Sequence, residues 1–259
     1  MNMHSERPAS GLTRGQASES DIDTPLHVED SRGKAAGSFN KDALAIMLKA
    51  PVPGNVKTRL SPPLTQEEAA QLYRCFIEDV FIKAAGLKGV DLYAFCAPEG
   101  GGADALAGVV SPGVSTFPQE GEDLGARMRN VFKSLFDKGH KKVSIIGTDS
   151  PDMPVEYIRS AFTLLDEASL VLGPAKDGGY YLIAMNSLFE TVFDGISWST
   201  GAVLEQTIEK AKQASIAFKL LPLWHDIDTY EDLALLRGSV DAPVSSKYLE
   251  ATSKNSSFS

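Results

Sequence analysis

Three cations and a set of carboxylates follow predicted strands of this chain, and together they have the chemistry to bind a phosphate-bearing nucleotide. The cations Lys49, Lys57 and Arg59 lie in the loop Lys49-Ala-Pro-Val-Pro-Gly-Asn-Val-Lys-Thr-Arg59, directly after the apolar run 44–48. Such a run is typical of a buried parallel strand, and open α/β folds bind their ligands at the carboxyl ends of such strands. The chain carries a formal charge of -9, so this local group of cations indicates an anionic small molecule. A solvated surface loop is the alternative, although two prolines and a glycine make the loop stiffer than that role requires.

The carboxylates that could complete this site occur in later turns. Asp149 follows a predicted strand in Gly147-Thr-Asp-Ser-Pro151, while Asp226 and Asp228 lie near the end of the chain's structured part. Carboxylate oxygens suit Mg²⁺ or Mn²⁺ bridging a diphosphate. A hydrogen bond to its own backbone is the alternative role for Asp149. Asp152 is better interpreted as the N-cap of the following helix.

Two further segments are weaker candidates. Asp177, Gly178 and Gly179 place a charge and flexible backbone at a strand end, which suits either a close ligand contact or a tight turn. The segment from Gln119 to Arg127 opens a strongly amphipathic helix, whose exposed N–H groups could hold an anion or a base. Its acidic residues are equally well explained as complements to the helix dipole.

The elements that must position these residues alternate between strand and helix. Strands are predicted at 44–48, 91–96, 114–117, 143–146, 170–172, 180–184 and 217–221, and helices at 65–86, 124–136, from 154, at 202–213 and after 229. Alternation with apolar strands predicts a mainly parallel sheet covered on both faces. The close strand pair at 170–184 predicts an antiparallel member, and therefore a mixed sheet.

Composition limits the domain organisation and the partners. The 259 residues are predicted to form one α/β domain at 41–239, between disordered tails at 1–40 and 240–259. No apolar stretch approaches the ~20 residues of a membrane helix, and the acidic pI argues against nucleic acid as a partner. Cys75 and Cys96 are expected to be buried free thiols, and the cytoplasm is the expected location. Homo-oligomerisation stays open.

Three common nucleotide-binding and hydrolase motifs are excluded. The loop after the first strand does not have the glycine and lysine spacing of a P-loop. No dinucleotide-binding Gly-x-Gly-x-x-Gly follows that strand, and the Gly-x-Ser-x-Gly nucleophile elbow is missing from the sequence.

Six segments in order carry a resemblance to a known family. They are 49–60, 119–128, 147–151, 173–181, 198–200 and 226–229. With them, the chain resembles a bacterial family of GT-A-like transferases in the nucleotide-diphospho-sugar transferase superfamily, often described as glycosyltransferases of arsenosugar or selenium-associated clusters. It is also similar to the guanylyltransferases that build the molybdenum and deazaflavin cofactors. The resemblance covers about 43–236 and implies a three-layer α/β/α sandwich in a single domain. Tyr230 departs from the proline usual in that family, at a helix start.

The resemblance also implies roles for individual residues. Lys57 and Arg59 would hold the phosphates, and Asp149, with Asp228, would carry Mg²⁺ or Mn²⁺. The catalytic residues are expected to be Asp149, Asp177 and Lys57. The nucleotide, sugar or acceptor is expected to contact Lys49, Gly54, Lys57, Arg59, Gln119, Arg127, Gly178, Gly179 and Trp198. A core position for Trp198 is the alternative.

The activity expected first is metal-dependent transfer of a sugar from a nucleotide diphosphate to a small acceptor. The alternative is a nucleotidyltransferase, in which a phosphorylated acceptor attacks the α-phosphate of a nucleoside triphosphate and pyrophosphate leaves. A nucleotide-binding regulatory protein without turnover is a third interpretation. The released product, nucleoside diphosphate or pyrophosphate, distinguishes the two transferases.

Overall fold

A seven-stranded mixed sheet organises the chain in this computed structural model, which describes residues 41–99, 101, 106 and 108–255. The predicted tail at 1–40 lies outside the described residues. The strands are β1 (Asp42–Leu48), β2 (Val90–Cys96), β3 (Ser115–Pro118), β4 (Lys142–Ile146), β5 (Leu170–Pro174), β6 (Tyr180–Met185) and β7 (Phe218–Leu220). The helices are α1 (Gln66–Ala85), α2 (Leu124–Asp137), α3 (Val155–Leu164), α4 (Val203–Gln213), α5 (Leu233–Leu236) and α6 (Pro243–Asn255).

The strand order places two parallel strands beside an antiparallel one at the centre of the sheet. The order is β3-β2-β1-β4-β6-β5-β7. Strands β1, β2, β3 and β4 run parallel to one another, while β6 is antiparallel to both β4 and β5. The carboxyl ends of β1 and β4 and the amino end of β6 therefore meet at one edge of the sheet.

Helices cover both faces, which makes a three-layer α/β/α sandwich. Alternate residues of β1 face opposite layers: Leu44, Ile46 and Leu48 pack with α1 and α3, whereas Ala43, Ala45 and Met47 pack with α2 and α4. All six are buried, which is why β1 reads as a continuous apolar run rather than as an alternating one. The predicted fold class is confirmed.

Local sequence signals set several element boundaries. Thr65 and Glu68 form the predicted capping box, each side chain bonding the other residue's backbone N–H at the start of α1. Asp123 caps α2 by accepting a bond from Ala126 N. Cys75 and Cys96 are buried free cysteines, as predicted. None of the helices in the described ranges combines the length and apolar character needed to cross a bilayer.

The C-terminal segment differs from the prediction of a disordered tail over 240–259. Residues 243–255 form α6, which packs on α1, with Ala242 and Leu249 buried against it. The side chain of Asp79, fully buried in α1, accepts bonds from Val244 N, Ser245 N and Ser245 Oγ at 2.6–2.9 Å. The first N–H groups of α6 therefore find their acceptor in Asp79, which lies 165 residues before Val244 in the sequence. A local sequence window could not show that this helix would dock.

Replacing Asp79 with alanine is expected to lower the free energy of unfolding by about 2 kcal/mol or more, because the first N–H groups of α6 lose a charged acceptor away from water. Urea denaturation would measure the change. Asp137→Ala is the matched control, since it breaks an exposed ion pair with Lys133 and is expected to cost less than about 1 kcal/mol. Equal effects of the two substitutions would contradict the role of Asp79.

Candidate active site

One cavity lies at the sheet edge where β1 and β4 end and β6 begins. Its volume is about 700 Å³, within the usual range for a small-molecule site. The predicted site residues that line it are Lys49, Lys57, Arg59, Gln119, Arg127, Asp149 and Asp228. Residues from both ends of the sequence therefore meet in one concave site, at the position where α/β sheets usually bind ligands.

The Lys57 ammonium is the central charge of this cavity. Its Nζ lies 2.5 Å from Asp149 Oδ1 and 3.0 Å from Asp228 Oδ1, and it donates to Ile227 O at 2.7 Å. The lysine side chain is 5% exposed, whereas those of Asp149 and Asp228 are 53% and 40% exposed. Burial by itself lowers the pKa of Lys57, but the two carboxylates more than offset this and hold the pKa above its ordinary value. Arg59, by contrast, is 76% exposed and lies 3.9 Å from Asp228.

Two turns supply the carboxylates, and hydrogen bonds join them. We name them the Asp149 turn (residues 147–152) and the Asp228 turn (residues 224–229). Ile227 N donates to Asp149 O at 2.8 Å, and Ser150 Oγ donates to Asp226 Oδ1 at 2.7 Å. Burial raises the pKa of Asp226 to about 6; the Ser150 hydroxyl opposes this, and nearby carboxylates add to it.

A tyrosine from α1 joins the ends of β1 and β4. Tyr73 Oη accepts a bond from Lys49 N at 3.1 Å and lies 2.8 Å from Thr148 Oγ1. Burial raises the pKa of Tyr73 to about 12, so the phenol stays protonated. The start of the cationic loop and the Asp149 turn are thus held by one buried hydroxyl.

The two predicted residues of the segment 119–127, which leads from β3 into α2, line the cavity but already have partners. Gln119 Nε2 donates to Leu48 O at 3.2 Å and to Phe95 O at 2.8 Å. Arg127 forms a two-pronged ion pair with Glu99, with its Nη2 2.7 Å from Oε1. Much of the positive charge of Arg127 is therefore neutralised within the protein.

Five predicted site residues do not line the cavity. Gly54 turns with φ +80° next to Gln66 of α1. Asp177 Oδ1 accepts a bond from Gly179 N at 2.8 Å, and Gly178 packs so closely on Gly201 that a Cβ there would lie 2.1 Å from a carbonyl oxygen. The functional roles assigned to these residues stay predictions.

Trp198 packs against the start of α2. A Cβ at Gly125 would lie 2.3 Å from its ring, and the indole contacts the core between the sheet and α2. Trp198 is therefore partly buried beside the core, while the neighbouring Ser199 lines the cavity. The role of Trp198 toward an acceptor stays a prediction.

The interpretation of Asp152 as a helix N-cap is wrong. Pro154 occupies the N-cap of α3 and makes no side-chain cap bond. The buried carboxylate of Asp152 instead contacts His225 Nε2 at 3.0 Å and accepts a bond from Trp224 Nε1 at 3.4 Å. The long-range partners lie in the other acidic turn, where a local rule could not locate them.

Sequence reasoning also missed Tyr73 and Ser150. Tyr73 lies within the apolar face of α1. Its hydroxyl, placed among apolar side chains, is the one feature of the sequence that indicates a buried hydrogen bond there. Ser150 was recognised only as part of a turn. The sequence offers both Asp226 and Asp228 for the metal; in the structure, Asp226 accepts a bond from Ser150, and Asp228 pairs with Lys57.

Comparison with solved structures identifies the family. A crystal structure from Desulfovibrio desulfuricans G20, described as a "putative nucleotide-diphospho-sugar transferase", is 32% identical with a TM-score of 0.78, covering 83% of this chain and 96% of that chain. The protein belongs to this nucleotide-diphospho-sugar transferase-like family. Residues 80–200 also match the family model DUF2064, described as an uncharacterized protein conserved in bacteria. That segment contains Asp149 but neither Lys57 nor Asp228.

Named relatives of this transferase-like protein are guanylyltransferases. The 2-phospho-L-lactate guanylyltransferase of Methanocaldococcus infernus is 25% identical over 76% of this chain and 86% of its own length. The enzyme of the same name from Methanocaldococcus jannaschii is 26% identical over 69% of this chain and 75% of its own length. These relatives support the nucleotidyltransferase alternative better than the glycosyltransferase interpretation.

The cavity's carboxylates fit a metal that arrives with a nucleotide. In the described part of the chain, no group of three or more His, Cys, Asp or Glu side chains is arranged to hold a metal ion. Asp149 and Asp228 still offer two partly exposed carboxylates; Lys57 contacts Oδ1 of each, and Arg59 lies 3.9 Å from Oδ2 of Asp228. Mg²⁺ is commonly held by one or two carboxylates, with substrate phosphates and water as the other ligands.

The raised pKa of Asp226 predicts a dependence of stability on pH in metal-free buffer. The folded pKa of about 6 exceeds the ordinary 3.8, so the folded state binds this proton more tightly than the unfolded chain. The resulting stabilisation is fully present below about pH 4 and is lost as the pH rises through about 6. Asp226→Asn keeps an acceptor for Ser150 and removes this titration. Its stability relative to the wild type is expected to rise by about 2 kcal/mol between pH 4 and pH 7, measured by urea denaturation with chelator. A pH-independent difference would contradict the assignment.

Proposed function

We propose that this protein is a nucleotidyltransferase that takes a nucleoside monophosphate from a nucleoside triphosphate and joins it to a small phosphorylated acceptor. The observation that carries the proposal is the meeting of Lys57, Asp149 and Asp228 in one nucleotide-sized cavity at the edge of a transferase-like sheet. The guanylyltransferase relatives make GTP the first donor to test, and 2-phospho-L-lactate the first acceptor.

In the proposed reaction, an oxygen of the acceptor forms a bond to the α-phosphorus while the bond from that phosphorus to the bridging oxygen of the β-phosphate breaks. Pyrophosphate leaves with the electron pair. Negative charge grows on the leaving group, so fixed positive charge lowers the barrier. Lys57, which is buried in the cavity lining, and Arg59, which is exposed at it, would neutralise that charge.

Asp149 and Asp228 would hold Mg²⁺ or Mn²⁺ together with the phosphates. When bound, such an ion supplies positive charge to phosphate oxygens and orients them for in-line transfer. The protein's own contribution is to fix the two carboxylates. Tyr73 and Thr148 hold the end of β4, and Ile227 N bonds the carbonyl of Asp149.

Gln119 and Arg127 are proposed to shape the cavity rather than to neutralise phosphates. Gln119 bonds the carbonyl ends of β1 and β2, and Arg127 is paired with Glu99. Met128 and Tyr180 add apolar surface to the lining beside Arg127, and Glu122 and Asp123 add negative charge there. A nucleobase, which is flat and uncharged, suits this part of the lining better than a phosphate.

Sugar transfer from a nucleotide diphosphate is the second candidate, because the 32%-identical solved structure is described as a nucleotide-diphospho-sugar transferase. It would use the same cations and carboxylates. The product distinguishes the two activities, since only nucleotidyl transfer releases pyrophosphate.

The proposal predicts pyrophosphate release from GTP and 2-phospho-L-lactate in the presence of Mg²⁺ or Mn²⁺. Asp149→Asn is expected to lower kcat/KM by about 100-fold or more, the scale for losing one group that stabilises developing charge. Asp137→Asn, on the exposed face of α2, is the control and should leave the rate unchanged. Release of nucleoside diphosphate from nucleotide sugars, with no pyrophosphate from any triphosphate, would replace this proposal with the second candidate.

Lys57 and Arg59 are expected to differ in effect because one is buried beside the carboxylates and the other is exposed. Lys57→Gln should lower kcat as well as raise the KM for the triphosphate, since the charge lost is fixed and desolvated. Arg59→Gln should mainly raise KM, and its effect should fade at high salt because exposed charges are screened. Steady-state kinetics at low and high salt would test this contrast. Equal, salt-dependent effects would contradict it.

A further inference from the structure

Three side chains outside the cavity join the two acidic turns. Asp152 lies in the Asp149 turn, and Trp224 and His225 lie in the Asp228 turn. None of the three is among the residues that line the cavity. Any effect they have on substrate therefore passes through the neighbouring residues that do line it.

Both carboxylate oxygens of Asp152 are used in this connection. His225 Nε2 lies 3.0 Å from Oδ2, and Trp224 Nε1 donates to Oδ1 at 3.4 Å. The side chains of His225 and Asp152 are 15% and 7% exposed. The His225 contact has ordinary hydrogen-bond length, whereas the Trp224 bond is long. Bonds to an acceptor that is largely removed from water hold geometry well.

Each side of the connection is anchored to a regular element. On one side, Lys83 of α1 donates to the carbonyls of Pro151 and Met153, which flank Asp152. On the other side, Trp224 N donates to Pro174 O at the end of β5, and the indole makes an edge-to-face contact with Tyr157 of α3. The indole also stacks on the His225 ring, with centroids 4.7 Å apart.

From this arrangement we infer that Asp152, His225 and Trp224 form a clasp that positions Asp149 and Asp228 for the metal-bound nucleotide; the inference rests on the proposed function. Asp149 lies three residues before Asp152, and Asp228 three residues after His225. The bond from Ile227 N to Asp149 O lies between the clasp and the two carboxylates. Without the clasp, the turns would depend on the Ile227–Asp149 bond, the Ser150–Asp226 bond and the Lys57 ion pairs, and the two carboxylates would be held less firmly at a common distance from one ion.

If the clasp positions the carboxylates, four variants should differ in how strongly they weaken nucleotide binding with metal. His225→Leu removes the contact at 3.0 Å, His225→Gln offers an amide donor of similar reach, and Trp224→Phe removes only the longer bond. Asp152→Asn is a second way to weaken the clasp with no change in volume, should His225→Leu fail to fold.

The first measurement compares the affinity of the protein for GTP in the presence of Mn²⁺ with its affinity in the presence of chelator. GTP is titrated into the protein in a calorimeter, without acceptor, and the ratio of the two affinities is the gain that Mn²⁺ provides. In His225→Leu, and in Asp152→Asn, this gain is expected to fall by about 10- to 100-fold, the range for residues that orient metal ligands. His225→Gln should recover part of it, and Trp224→Phe should lose less. A merely structural role would lower the Tm and leave the gain per folded molecule unchanged, and that result would overturn the inference.

The second measurement is amide hydrogen exchange without ligand, which does not depend on the proposed function. Protection of the Ile227 amide should fall at least about tenfold in His225→Leu, while that of the Val244 amide, bonded to Asp79, stays constant. Retained Ile227 protection in a folded His225→Leu protein would overturn the clasp. If the wild type binds no GTP while Ile227 protection still depends on His225, the proposed function fails and the joining of the turns by the clasp is supported.

Discussion

The buried ammonium of Lys57 is the interaction on which the site depends. A lysine that is 5% exposed requires compensating charge, and here that charge comes from Asp149 and Asp228. The three residues belong to the loop after β1, the turn after β4 and a turn near the end of the domain. Their pairing is therefore a constraint on the whole chain, since it is satisfied only when these three segments meet.

The sheet makes this meeting possible. Strands β1 and β4 are parallel neighbours, so their carboxyl ends and the loops after them lie side by side. Strand β6 is antiparallel to β4 and brings its first residue, Tyr180, to the same edge. The cavity forms there, with cations from one loop and carboxylates from the others. An acidic protein thus presents a site with both signs of charge, which suits a nucleotide that carries its own divalent ion.

The surrounding hydrogen bonds explain how turns, rather than regular elements, can hold such a site. Tyr73 bonds the ends of β1 and β4, Ser150 bonds Asp226, and Asp152 contacts His225 and Trp224. Nucleotidyl transfer gains most of its rate from positioning and fixed charge rather than from covalent chemistry. A rigid arrangement of turns is consistent with that requirement and with the guanylyltransferase relatives.

The sequence alone determined the elements and the edge at which the chemistry lies. Within the described part of the chain, apolar runs and helical periodicity located every strand and five of the six helices, because burial imposes those patterns locally. The cationic loop and Asp149 followed from residue type at strand ends. Tertiary structure alone decided which groups pair. It brought Lys57 to Asp149 and Asp228, and Arg127 to Glu99. It also brought Asp152 to His225, away from the cap of α3, and docked residues 243–255 as a helix. The physical reason is that a charge or a hydrogen-bond donor can be satisfied by any suitable group that folding brings within about 3 Å, and separation along the chain does not show which group that will be.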